Sequence, residues 1–251
     1  NGSGLMLGIG GATKYAIMKN QGNKKYNESF MNTVFMAIVI GIIFFLTGII
    51  FSGNIATLLG ANKQVYHMTS IYLKVLLMFG PAFVLNNVMN AFVRNDGNPK
   101  LSMIAMLVGS FGNIILDYLL VIKFSMGMFG AVLATGFSPI MGLMVLSGHI
   151  VSENSNIKFK VAKIRASFIK SIIMLGIPSF VAEMSSGIVI FVFNIIILGL
   201  QGNVGVAAYG VIANLALVVI SIYTGVAQGS QPLFSAAYGK NDKKMQKQLF
   251  K

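Results

Sequence analysis

Long charge-free stretches alternate with short basic ones along the chain. Ser29 to Asn62 is 34 residues without a charge, Val75 to Val93 is 19, Leu101 to Leu116 is 16, and Phe124 to Ser152 is 29. Ser171 to Ala182 is uncharged, and Met184 to Gly239 adds 56 residues. A hydrocarbon core about 30 Å thick is crossed by roughly 20 apolar residues in a helix. The pattern therefore predicts helices at about 4–20, 31–52, 70–93, 101–122, 127–150, 168–200 and 205–236. Gln201-Gly202-Asn203 reads as the turn that divides the last window into two crossings. The helix at 168–200 is longer than a span needs, so tilt or a kink at Pro178 is expected.

Composition agrees. Of the 251 residues, 55% are hydrophobic and only 10% charged, against about 25% charged in a soluble domain. Mean hydropathy is +0.78. The 28 glycines suit close approach between membrane helices. There is no Cys, which excludes disulfides, thiol catalysis and Cys-based zinc sites. The chain opens inside an apolar glycine-rich run, without Met or a visible signal peptide, and reads as a piece of a longer protein.

The net charge of +13 follows from topology. Alternate loops hold 16 basic residues: Lys14, Lys19, Lys24 and Lys25; then Arg94 and Lys100; then Lys158, Lys160, Lys163, Arg165 and Lys170; then Lys240, Lys243, Lys244, Lys247 and Lys251. The opposite face holds only Lys63, Lys74 and Lys123. By the positive-inside rule the basic face is cytoplasmic. The charge needs no nucleic-acid partner, and the lipid bilayer is the expected surrounding. Between Lys158 and Lys170 apolar and basic residues interleave. That stretch reads either as a short segment against anionic headgroups or as a solvated linker.

An internal repeat joins the two ends. At an offset of 219, Gly10 to Phe30 matches Gly229 to Leu249: Tyr15 pairs with Phe234, Asn23-Lys24-Lys25 with Asp242-Lys243-Lys244, and Phe30 with Leu249. Both copies face the same side, as in transporters built from two related halves. The boundaries expected are 1–155 for an amino-terminal lobe lacking its first helix, 156–167 for a cytoplasmic linker, and 168–251 for the start of the second lobe.

Several motifs follow this order along the chain. They are Arg94-Asn95-Asp96-Gly97-Asn98-Pro99-Lys100, then Gly112-Asn113 to Asp117-Tyr118, then Gly127, Gly130-Ala131 and Ala134-Thr135. Further on come Leu175-Gly176-Ile177-Pro178-Ser179 and Gly225-Val226-Ala227-Gln228-Gly229-Ser230-Gln231-Pro232-Leu233. In order and spacing the chain resembles the multidrug and toxic compound extrusion (MATE) transporters. The resemblance implies an all-α, polytopic membrane helix bundle of twelve helices in two lobes, of which this chain supplies the second to the eighth. It implies a monomeric antiporter that exports amphipathic, often cationic small molecules by alternating access. No cofactor is implied; Na⁺ or H⁺ is the coupling ion.

Ionisable residues at membrane depth are functional candidates. Asp117 lies four residues after Asn113, on the same helical face, and a carboxylate beside an amide oxygen suits Na⁺ or a carried proton. The bland reading is an interfacial acid paired with Lys123. By motif position Asn90, Asn113, Asp117 and Thr135 match a polar cluster in the amino-terminal lobe of the family; Thr135 also reads as a hydroxyl bonding to its own helix. Glu183, Gln231 and Asn194 are cavity-lining candidates. Ser186 stands where NorM-like members carry a glutamate, which favours a DinF-like or MepA-like branch. His67 and His149 lie near opposite helix ends, and no nucleophile, metal or phosphate motif is present, so an enzyme is not expected. The runner-up is a lipid-linked precursor or polysaccharide flippase, whose pyrophosphate cargo calls for basic residues in the cavity; none is expected at mid-membrane depth here.

Overall fold

The computed structural model describes residues 2–59, 65–159 and 162–249, and what is described is helices joined by short loops. They are α1 (Gly2–Asn20), α2 (Tyr26–Leu58), α3 (Tyr66–Met78), α4 (Gly80–Asn95), α5 (Pro99–Asp117), α6 (Gly127–Val151), α7 (Ala166–Gly239) and α8 (Lys243–Leu249). A π-helical turn, Tyr118–Lys123, continues α5. Lys63, Lys160 and Lys251 lie outside the described residues.

Among the described residues, five helices are long and apolar enough to cross a membrane, and α3 with α4, taken as one span bent by 43°, makes a sixth. The helix expected at 70–93 is thus broken at Phe79–Gly80, because Pro81 in the first turn of α4 supplies no N–H to the turn before it. α1 is the expected helix but is not among those five: Gly, Thr and Lys dilute its hydropathy, and it is enclosed by α2, α4 and α7.

α7 is two helices across one break. Gly202 is the residue with non-helical backbone (φ 63°, ψ −155°), inside the turn expected at 201–203. Pro178 lies within helical backbone. Where α1 meets the first half of α7, a Cβ on Gly10 would overlap the Ile172 carbonyl, and one on Gly176 the Met6 carbonyl. Glycine at both places lets the backbones touch, as membrane helix packing requires without a hydrophobic drive between helices.

Burial is inverted with depth. The core sits at the basic end of the bundle, where Tyr15, Phe30 and Phe92 are fully buried and meet edge-to-face at centroid distances of 5.5 Å and 5.1 Å. Further along the helices, large apolar side chains such as Ile43, Ile50, Phe111 and Ile114 face outward, an arrangement that suits lipid rather than water.

The sequence repeat extends to the backbone. After α1, the amides of Gln21, Gly22 and Asn23 donate to the carbonyls of Ile17, Lys19 and Met18 at 3.0, 3.1 and 3.0 Å. After α7, Lys240, Asn241 and Asp242 donate to Ala236, Tyr238 and Ala237 at the same three distances. Each of the six residues stands 219 positions from its counterpart. The left-handed residue falls at the same repeat position: Gly22 at φ 72° and Asn241 at φ 54°.

The described residues of the 152–165 connection are non-helical and held to the bundle. Ile157 is buried in the core, Asn156 Nδ2 reaches Asp96, and Asn27 and Asn32 of α2 hold the backbone at Asn156, Lys158, Lys163 and Arg165. Arg165 pairs with Glu28 at 3.2 Å. Ile157 anchors the connection to the bundle, and Phe159 meets Phe30 edge-to-face.

Candidate functional site

A cavity of about 640 Å³ lies between α1, α4, α5 and α6 on one side and both halves of α7 on the other. Its polar wall is set by helical spacing. α4 contributes Asn86, Asn90 and Arg94, one residue per turn along one face. The first half of α7 contributes Glu183, Ser186 and Gly187. The second half contributes Ser221, Thr224, Gly225 and Gln228, again at three- and four-residue steps. Glu183 and Arg94 are its ionisable lining residues.

The basic end of the cavity is spanned by hydrogen bonds. Arg94 Nη1 donates to Gln228 Oε1 at 3.0 Å. Asn95 Nδ2 donates to Gln231 Oε1 at 2.7 Å, and Gln231 Nε2 donates to the Thr13 hydroxyl at 2.7 Å. Gln231, a cavity candidate from sequence, is therefore in the closure beneath the cavity and does not line it. Asn194 is half-buried on α7 and does not line it either.

The four residues matched to the family's polar cluster do not form one site. Asn90 is buried and pairs with Ser102, accepting from its hydroxyl and donating to its carbonyl. Ser102 stands 15 positions before Asp117 on α5, about 22 Å along a helix rising 1.5 Å per residue. Asn90 is thus removed from the group, because α4 meets α5 near its start. Asn113 and Thr135 are level with each other: the Ser138 hydroxyl donates to Gly109 O at 2.9 Å, and Gly130 abuts the Leu120 backbone, which brackets them on antiparallel helices. The Thr135 hydroxyl bonds back to Ala131 O at 3.0 Å. Asn113 Nδ2 is buried without a partner. Asp117 is half-buried at the last turn of α5, where the π turn begins, and it does not line the cavity. The ion pairs among the described residues are Lys19–Asp96, His149–Asp96 and Arg165–Glu28, so the pairing of Asp117 with Lys123 is not formed.

Two features were not read from sequence. Arg94 was counted as a loop charge, yet it is 8% exposed and lines the cavity, which removes the premise that no basic side chain reaches it. The i, i+4, i+8 spacing of Asn86, Asn90 and Arg94 was the available signal. Asp96, named from sequence only as part of the Arg94–Lys100 motif, is a buried junction. Its side chain accepts from Tyr15 Oη at 2.7 Å, Lys19 Nζ at 2.6 Å, His149 Nε2 at 2.9 Å, and the Asn156 amide N at 2.8 Å. Burial alone would raise its pKa; the bonds from Lys19, Tyr15, His149 and the Asn156 amide outweigh that and hold the carboxyl below its ordinary value.

Helices apolar and long enough to cross a membrane, packed around a cavity, define a polytopic membrane protein. The MatE family model matches residues 2–119 and 160–251, and the chain belongs to that family. The multidrug export protein MepA of Staphylococcus aureus (strain MRSA252) is 30% identical over 249 residues, covering 97% of this chain and 54% of that protein. MepA of Staphylococcus saprophyticus is 29% identical over 255 residues, covering 100% of this chain and 56% of its own length. The chain therefore spans about half the length of these relatives. Among solved structures, a multidrug resistance MATE family transporter in an outward-facing conformation superposes with a TM-score of 0.86 at 23% identity, over 99% of this chain and 56% of that one. A MOP superfamily transporter from Pyrococcus furiosus Vc1 gives 0.88 at 22%, over 99% and 56%. These confirm the fold.

Proposed function

We propose that this chain is part of an exporter that carries amphipathic, cationic small molecules out of the cell in exchange for inward Na⁺ or H⁺. The observation that carries the reading is a cavity walled by helices on both sides, with the Glu183 carboxylate in its wall and hydrogen bonds closing its basic end. A carboxylate in a cavity wall attracts a cation, and amides and hydroxyls around it accept varied donors. The family membership and the export role of the MepA relatives support this reading.

In this proposal residues 1–155 belong to the first lobe, 156–167 link the lobes across the cytoplasmic face, and 168–251 begin the second. The matching turns after α1 and α7 support two related halves. The lobes rock about the cavity in the plasma membrane, with the basic loops cytoplasmic and one copy of the full protein sufficing. Asp117, Asn113 and Thr135 bind the coupling ion, with Asn90 outside that group.

The test is ion-driven efflux of a cationic dye by the full-length protein in proteoliposomes, once with a Na⁺ gradient at constant pH and once with a pH gradient in Na⁺-free buffer. One gradient should accelerate efflux at least tenfold, and Asp117→Asn should abolish that acceleration while dye binding persists. Efflux indifferent to both gradients would overturn the antiport reading. Unchanged coupling in Asp117→Asn would overturn the site.

A further inference from the structure

Arg94 is a buried guanidinium without an acidic partner. It is 8% exposed, it lines the cavity, and it belongs to none of the ion pairs among the described residues. Its Nη1 is used by Gln228, but its Nε is buried with nothing to donate to. An ionised group so placed is costly unless a compensating charge or acceptor reaches it. Arginine is also the side chain whose planar fork holds a carboxylate by two parallel bonds. One turn and two turns back along the same face stand Asn90 and Asn86, and Asn86 Oδ1 is likewise buried and unpartnered.

We infer that Arg94 is a binding subsite for a carboxylate or similar acceptor group on the cargo, so that the cavity accepts zwitterionic amphiphiles as well as simple cations. The cationic centre lies toward Glu183 on α7 and the acceptor group on the Arg94 guanidinium. This rests on the proposed export role for the identity of the ligand as cargo, but not for its binding.

The experiment is equilibrium binding to the purified full-length protein, which needs no transport. The probes are a rhodamine with a free carboxyl group and the methyl ester of the same rhodamine, read by fluorescence polarisation. The wild type should bind the acid at least as tightly as the ester. Arg94→Gln should weaken the acid by at least about tenfold, the loss of a charge-assisted bond, and the ester by less than about twofold. Arg94→Lys, which keeps the charge without Nε, should lie between. Equal losses for both dyes, or no loss for the acid, overturn the subsite. A wild type that prefers the ester tenfold overturns it without any variant. Binding with the expected discrimination but no gradient-driven efflux would refute the antiporter and leave the subsite standing.

Discussion

The Lys19 ammonium sits 2.6 Å from Asp96 Oδ1, joining α1 to the α4–α5 turn at the basic end of the bundle, with the Asp96 side chain fully buried and Lys19 partly exposed. With Tyr15 of α1, His149 and Asn156 on the same carboxylate, one side chain also ties the end of α6 and the linker to that point. Asp96→Asn removes the charge while leaving five donors aimed at it. We expect a loss of about 2–4 kcal/mol, at the lower end of what breaking a buried pair costs because Lys19 retains water.

The same junction has a pH signature. The Asp96 pKa is held below its ordinary 3.8 in the folded state. A depressed carboxyl contributes stability that is fully present above its unfolded pKa and is lost as pH falls through the folded one. The melting temperature of the full-length protein in detergent should therefore fall as pH drops below about 4, and Asp96→Asn should flatten that fall. A wild type and variant with parallel profiles would refute the role given to Asp96.

Gln231 reaches Asn95 and Thr13 in one step, across the basic end of the cavity. Each bond contributes about 1 kcal/mol net, so Gln231→Ala should shift the balance toward a state open on that face several-fold. A cysteine placed at Ser221 in the cavity wall, in a full-length protein otherwise free of cysteine, reports the opening. Its labelling by an impermeant thiol reagent applied from the basic side should rise about fivefold with Gln231→Ala. No change in labelling would show that these bonds do not hold the cavity shut.

Legibility in the sequence differed between these features. The spans and the break near Gly202 follow from charge-free windows and a turn tripeptide, because a bilayer imposes a length and a polarity that local sequence must meet. The turn after α1 and α7 was legible as a repeat. The Asp96 junction was not, since its partners Lys19, Tyr15, His149 and Asn156 lie 77, 81, 53 and 60 positions away. Only folding brings α1, α6 and the linker to one point. Asn90 was placed with Asp117 by motif position, but the bend at Pro81 and the contact with Ser102 set its level on the other helix. Arg94 was read as a loop charge since it follows a long apolar run; helical spacing from Asn86 would have placed it on the cavity face.

Glu183 is the carboxylate of the cavity wall, on the exposed part of α7. Glu183→Gln keeps the shape and removes the charge. Affinity for a permanently cationic dye should drop about three- to tenfold, a modest factor because the group is not buried. A neutral amphiphile of the same size should bind as before. Equal losses for the charged and the neutral ligand would mean that Glu183 shapes the cavity and does not attract cations.

The repeated turn offers a test that depends on backbone alone. Gly22 is left-handed at φ 72° with open space around it, and its counterpart Asn241 is left-handed at φ 54°. Asparagine tolerates that region and β-branched residues do not. Exchanging the two solutions, as Gly22→Asn or Asn241→Gly, should leave the melting temperature nearly unchanged. Gly22→Val and Asn241→Val should each cost about 1–2 kcal/mol. Nothing within reach of Gly22 would clash with the new side chain, so a loss with valine but not with asparagine isolates the dihedral as the cause. If Asn and Val at position 22 were equally harmful, the two turns would share a sequence pattern without sharing a backbone requirement.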